Sequence, residues 1–259
     1  MPSANPPAHW QHLWVLVVED HCTYRSLMEA FLDTLGVRHV VVGEGESALR
    51  VLASVRVDLV ISDCRMPVMD GYTMSNKIRR RERALDLPRV PIVALTGSLT
   101  PDEITRCFDA GMDACLVKPL SLPRLRELLE SWLPDAHGQR STSGRWVVGA
   151  CADWPTRAQL IETFGSQSVV DAMLKSLVQE ARADQQALLQ GQISLDAGLV
   201  GERLHRLVGS LAFLGAVELE QRCQALMADL RSKGVRANRS VLEQLLKDVC
   251  IYLDYLAEL

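Results

Sequence analysis

A chain of 259 residues with 48% apolar and 23% charged side chains is globular in composition and long enough for two ordinary domains. Its net charge of −4 offers nothing to attract a polyanion, so neither nucleic acid nor an anionic membrane surface is an expected partner. The seven cysteines (Cys22, Cys64, Cys107, Cys115, Cys151, Cys223, Cys250) are odd in number, far apart and without a CxxC pair, which argues against a disulfide frame or zinc site and for a reducing, cytoplasmic setting. No apolar run approaches the roughly 20 residues of a membrane span, and MPSANPPAHW lacks the basic start and apolar middle of a signal peptide, so no direct membrane contact is expected.

From residue 13 to about 134, short β-branched runs alternate with amphipathic stretches. The strand candidates are LWVLVV (13–18), RHVVVG (38–43), VDLVIS (57–62), VPIVAL (90–95) and DACLV (113–117). Between them lie the helical stretches TYRSLMEAFLDTLG, ESALRVLAS, the region after Gly71, TPDEITRCFDAG and SLPRLRELLESWL. Five strands alternating with five helices predict a doubly wound α/β parallel sheet. Such sheets bind ligands beyond the carboxyl ends of their strands.

The residues at those ends are Glu19 and Asp20 after the first strand, Asp63 after the third, Thr96 after the fourth and Lys118 after the fifth. Three carboxylates at one edge raise each other's pKa unless a cation sits among them. A hard ion such as Mg2+, which takes one or two carboxylates, waters and a phosphate oxygen, satisfies that need.

The motifs VVED, SDCRMPVMDG, ALTG and LVKP, over roughly residues 12–134, resemble those of response-regulator receiver domains, whose fold is the flavodoxin-like five-stranded sheet. By that resemblance Asp63 is a phosphoacceptor. Asp20, Asp63 and the backbone carbonyl of Arg65 ligate Mg2+, with Glu19 helping through water, and Thr96 and Lys118 hold phosphoryl oxygens. The chemistry suits these groups, because phosphoryl transfer needs in-line positioning and neutralised oxygens. Gly97 leaves room for a phosphodonor or is an ordinary turn residue, and Lys118–Pro119 is a candidate cis bond. Cys115 departs from the family, which often carries an aromatic residue three places before the lysine.

After Pro134 the polar DAHGQRSTSG reads as a flexible linker, placed over 135–151. Residues 152–259 hold few β-branched clusters and long Leu/Ala/Gln/Glu-rich periodic segments, predicting a mainly α-helical, four-helix-bundle domain with helices near 156–165, 168–190, 196–213, 216–232 and 239–257. In the third of these, Val200, Leu204, Leu207, Leu211 and Leu214 form the buried stripe. His205 then turns roughly 140° away from the stripe toward water. Gly198, Gly201 and Gly209 share its side of the helix, and a mid-helix Gly costs about 1 kcal/mol against Ala, so a surface kept clear for another protein is the reading.

LHRLVGSLAFLGAVELEQRCQAL resembles the histidine-containing phosphotransfer (HPt) domains, through His205, Gly209, Ser210, Gly215, Ala216, Leu219, Cys223 and Leu226. The resemblance implies a phosphohistidine at His205 and a packing role for Cys223. Where the family commonly has lysine three residues after its histidine this chain has Val208, so Arg206 is the candidate cation for the phosphate, the alternative being weaker phosphoryl binding.

A receiver followed by an HPt domain is the arrangement of the C-terminal part of hybrid sensor kinases and of free-standing relay proteins. The expectation is a phosphotransfer protein, not an enzyme apart from self-dephosphorylation by its receiver, that takes a phosphoryl group from an upstream histidine kinase and relays it through His205 to or from a downstream response regulator. Two rivals are weaker. A Mg2+-dependent Asp-nucleophile phosphatase places DxD after its first strand, where this chain has Glu19-Asp20, and a DNA-binding regulator needs a helix-turn-helix that the tail does not present.

Overall fold

The β-branched runs form strands β1 (Trp14–Val18), β2 (Arg38–Val42), β3 (Leu59–Asp63), β4 (Ile92–Thr96) and β5 (Ala114–Val117), every adjacent pair parallel. The computed structural model describes residues 7–97, 100–134, 147–148, 154–214 and 216–259. A two-residue strand, β6 (Val147–Val148), extends the sheet beside β5, giving the order β2-β1-β3-β4-β5-β6. It falls in the stretch read as linker, and residues 135–146 and 149–151 of that stretch lie outside the described residues. The strands β3 and β4 are buried at every position because helices cover both faces, whereas the edge strand β2 stays half-exposed.

The intervening helices are α1 (Cys22–Thr34), α2 (Gly45–Ser54), α3 (Gly71–Ala84), α4 (Pro101–Asp109) and α5 (Leu122–Trp132). Three begin on side-chain caps. Asp70, Thr100 and Ser121 accept from the backbone amides of Thr73, Glu103 and Arg124 and satisfy donors that a helix start leaves orphaned. A 3-10 turn over Ala8–His12, for which the sequence patterns give no sign, seats Trp10 at 2% exposure.

Contacts divide the chain into two units, Met1–Ala150 and Cys151–Leu259. The second is helical: α6 (Arg157–Phe164), α7 (Gln167–Ser194), α8 (Ala197–Phe213), α9 (Val217–Ala237) and α10 (Arg239–Glu258). Leu177, Val200, Leu204, Leu207, Leu211, Leu242 and Val249 are fully buried and form its core. The helix α7 runs four residues past its expected end at 190. Gly191 is the reason. It is not a stop signal but a crossing point, since a Cβ there would lie 2.9 Å from Val200 Cγ2 of α8. The helix α9 likewise continues to Ala237 across a break at Gly234, whose φ of 73° no ordinary helical residue adopts. Among the described residues no helix is long and apolar enough to cross a membrane.

Candidate functional site

In the order β2-β1-β3-β4-β5 the chain reverses direction of growth between β1 and β3, and the carboxyl ends of those strands flank the crevice where such sheets bind ligands. Asp63, the last residue of β3, sits there on a fixed backbone. Cys64 N donates to Leu95 O at 3.1 Å, Gly71 N donates to Cys64 O at 3.1 Å, and Ser62 Oγ donates to Asp63 O at 2.8 Å. The start of α3 presses so closely on this strand end that a Cβ on Gly71 would fall 2.2 Å from Asp63 O. Only glycine fits.

The Asp63 carboxylate accepts from Arg65 N on Oδ1 (3.1 Å) and from Lys118 Nζ on Oδ2 (2.9 Å). The same ammonium lies 2.6 Å from Glu19 Oε2. Glu19, Asp20 and Asp63 each bring an oxygen within 4.8 Å of the others. Burial pushes the Glu19 carboxyl up to about 8; Lys118 pulls the other way, while Asp63 and Asp20 add to the rise. Burial works against the Lys118 ammonium, but Asp63 and Glu19 outweigh it and hold its pKa well above the ordinary range. One ammonium, paired with Glu19 and Asp63, thus serves a cluster of three acidic groups, and the all-oxygen donor set fits a hard divalent cation such as Mg2+.

The remaining expected residues fall around this cluster. Thr96 ends β4 at 2% exposure, and its carbonyl accepts from Lys118 N at 2.8 Å. The Lys118–Pro119 bond is cis. Gly97 is half-buried in the turn after β4. The Arg65 guanidinium turns away from the carboxylates to Glu103 Oε2 of α4 at 3.0 Å, and Tyr72 OH donates to the other oxygen of Glu103 at 2.6 Å. Cys115 is fully buried against Cys107, in place of the aromatic residue common in the family.

In the second unit the stripe of α8 is buried as its spacing predicts, with Val200, Leu204, Leu207 and Leu211 at 0% and Leu214 at 3% exposure. His205 is half-buried, less open than a 140° rotation alone suggests, as are Gly201 and Gly209, while Gly198 is exposed. At Gly201 a Cβ would meet nothing within 4 Å. Val208 is 6% exposed and belongs to the packing. Arg206 has another partner: Asp184 of α7, itself 2% exposed, accepts from Arg206 Nε and from Arg203 Nη1, each at 3.1 Å. That pairing fixes the guanidinium expected to neutralise a phosphate at His205. Cys223 is fully buried, which pushes its thiol up to about 12, so it packs and does not ligate.

A family model of the response regulator receiver domain matches residues 15–130, and one of the Hpt domain matches residues 172–256. The chain joins a receiver domain to an Hpt domain. It is 31% identical over 220 residues to the virulence sensor protein BvgS of Bordetella bronchiseptica, covering 82% of this chain and 18% of that protein. To the sensor histidine kinase GacS of Pseudomonas protegens it is 28% identical over 231 residues, 86% of this chain and 25% of that one. The chain therefore spans about a quarter or less of the length of these relatives. The crystal structure of the receiver domain of sensor histidine kinase PA1611 from Pseudomonas aeruginosa, with magnesium coordinated in its active-site cleft, is 37% identical with a TM-score of 0.42, covering 46% of this chain and 96% of that one. A receiver and an Hpt domain in one chain make a phosphorelay module.

Around the receiver's carboxylates stand residues that sequence reasoning missed. Arg25 Nη1 donates to the carbonyls of Glu19 (2.8 Å) and Asp20 (2.7 Å) and so fixes the turn that carries both. A signal existed, because a cation one turn into a helix opposes the macrodipole and needs a local reason. Tyr24, 1% exposed, places its ring 4.9 Å from Lys118 Nζ and accepts from Leu120 N at 3.1 Å, bracing the β5–α5 turn. Nothing in the run TYRSLM distinguishes it from an ordinary core tyrosine.

Proposed function

We propose that Asp63 is the phosphoacceptor of the receiver and His205 the phosphohistidine of the Hpt domain. The single observation that supports the first assignment is the buried Lys118, held between Asp63 and Glu19 in a pocket of three carboxylates at the sheet's carboxyl edge. In the reaction an Asp63 oxygen attacks phosphorus in line, the P–N bond to an upstream kinase's phosphohistidine breaks, and the imidazole leaves with the electron pair and takes a proton. Lys118 neutralises a phosphoryl oxygen, and Thr96 donates to another. Glu19, Asp20, Asp63 and the Arg65 carbonyl would hold Mg2+, which when bound supplies the positive charge that three carboxylates and a phosphoryl group require.

His205, on a helix face with open space at Gly201, then exchanges the group with a receiver aspartate. The partners are an upstream histidine kinase and a downstream response regulator, with no nucleic acid and a cytoplasmic setting. The domain limits that go with this reading are 12–134 for the receiver, 135–151 for the connection and 152–259 for the Hpt domain.

The test is phosphorylation by acetyl phosphate. Label is expected in the native protein, lost on chelation and absent from Asp63→Asn. Equal labelling of Asp63→Asn would end the assignment. For His205 the measurement is transfer from a phosphorylated receiver, which His205→Gln abolishes and a His137→Gln control leaves intact.

A further inference from the structure

Three of the seven cysteines, 51 residues apart at their extremes, converge beneath the phosphoacceptor. Cys64 follows Asp63, Cys107 lies on α4 and Cys115 on β5, and all three are fully buried. The Cys64 and Cys107 sulfurs stand 3.7 Å apart, and Cys115 is the neighbour of Cys107 on the sheet side. As inert core residues they need no mutual contact. As a set they place two thiols within closing distance of a disulfide at the residue next to the nucleophile.

We propose that Cys64 and Cys107 form a peroxide-driven disulfide that slows phosphoryl uptake at Asp63, a regulatory inference that rests on the phosphoacceptor reading above. The Cys107 thiolate attacks one oxygen of hydrogen peroxide, giving the sulfenic acid and hydroxide; the Cys64 sulfur then attacks the Cys107 sulfur, forming S–S as its proton passes to the departing hydroxide, which leaves as water. Cys107 is carried by α4 while Cys64 is held at the end of the fully buried β3, so an opening of α4 brings Cys107 to peroxide first and makes it the attacking thiol. Access follows from how α4 is attached. Cys107 is the one fully buried side chain among its nine residues, and a helix with so small a buried anchor opens locally at lower cost than the sheet beneath it.

The effect on Asp63 is geometric. Closing a 3.7 Å contact to the roughly 2.0 Å of a disulfide moves the sulfurs together by well over 1 Å. Cys64 shares its peptide bonds with Asp63 and Arg65, and the Arg65 amide is the group that positions Asp63 Oδ1. A shift of about 1 Å at a reacting group is enough to cost up to about a hundredfold in rate.

The experiment uses the full chain with Cys22, Cys151 and Cys250 changed to serine. Reduced and peroxide-treated samples are digested and searched by mass spectrometry for a peptide pair joining residues 64 and 107, and both are labelled with acetyl phosphate and Mg2+. The expected result is a 64–107 link and labelling about tenfold slower or worse, both reversed by dithiothreitol. Cys107→Ser, and Cys64→Ala should that variant fold poorly, must label at the same rate with and without peroxide, whereas Cys115→Ser keeps the response. Peroxide treatment that yields no such link, or a link with unchanged labelling, overturns the proposal. The reduced sample tests the phosphoacceptor reading by itself: no label at Asp63 there overturns that reading and the regulatory step with it, while the linked peptide still reports on the bond.

Discussion

Replacing Gly71 by alanine puts one methyl group where the structure leaves no room. Its Cβ would lie 2.2 Å from Asp63 O, 1.2 Å inside the 3.4 Å at which ordinary contact begins, and 3.0 Å from Ser62 Oγ. The obstruction is backbone in a fully buried strand, so it cannot swing aside. The start of α3 must retreat instead, at an overpacking cost of about 1–3 kcal/mol. Retreat also stretches the bond from Gly71 N to Cys64 O, worth about 0.5–1.5 kcal/mol, against which alanine recovers up to about 1 kcal/mol of chain entropy. The receiver should therefore lose about 2–3 kcal/mol, a rise of roughly 30- to 150-fold in amide exchange of its most protected protons. Hydrogen exchange at the β3 amides of Ile61 and Ser62 reads this unit alone, whatever the Hpt domain does. Exchange changed by less than about fivefold would show that the close approach is relieved without cost and that the reasoning is wrong.

At Gly201, where a Cβ meets nothing, alanine should stabilise the Hpt domain by up to about 1 kcal/mol, seen as a higher melting temperature, while arginine at the same position should block phosphotransfer and leave the fold intact. The Glu19 carboxyl, raised from 4.5 to about 8, favours the folded state fully below its unfolded pKa and loses that contribution as pH climbs through the folded one. Without Mg2+ the melting temperature of the receiver should thus fall between about pH 5 and pH 8, Glu19→Gln should flatten the slope, and Mg2+ should remove it; a slope indifferent to both changes counts against the site. Asp184→Ala removes the buried acceptor of Arg203 and Arg206 but leaves both guanidiniums able to reach water, so the Hpt domain should lose only about 1–2 kcal/mol in urea denaturation.

The sheet was legible because its strands are continuous β-branched runs, and the positions just beyond them follow from topology; this is why Glu19, Asp20, Asp63, Thr96 and Lys118 stand out in the sequence itself as neighbours at one sheet edge. The β6 strand could not be read, since two residues carry no period, and neither could the 3-10 turn that seats Trp10. The expected end of the second helix at 190 fell short for a related reason: a glycine at 191 is locally unfavourable in a helix, and only the approach of Val200 from α8 explains its place inside α7. Arg206 illustrates the limit for side chains. Its position on the face of α8 was clear, but its commitment to Asp184, 22 residues earlier on another helix, was not.

The groups that surround Asp63 are spread along the chain from residue 19 to residue 118 and come from four strands. No local segment contains a working subset. A nascent or partly melted receiver with β5 undocked lacks Lys118, and the carboxylates then repel one another with no ammonium between them. Loop-closure entropy must be spent on these distant pairings before the pocket exists at all. Competence to accept a phosphoryl group is in this sense a proofreading of the fold, and a misassembled copy of the chain is silent in the relay without any separate device to exclude it.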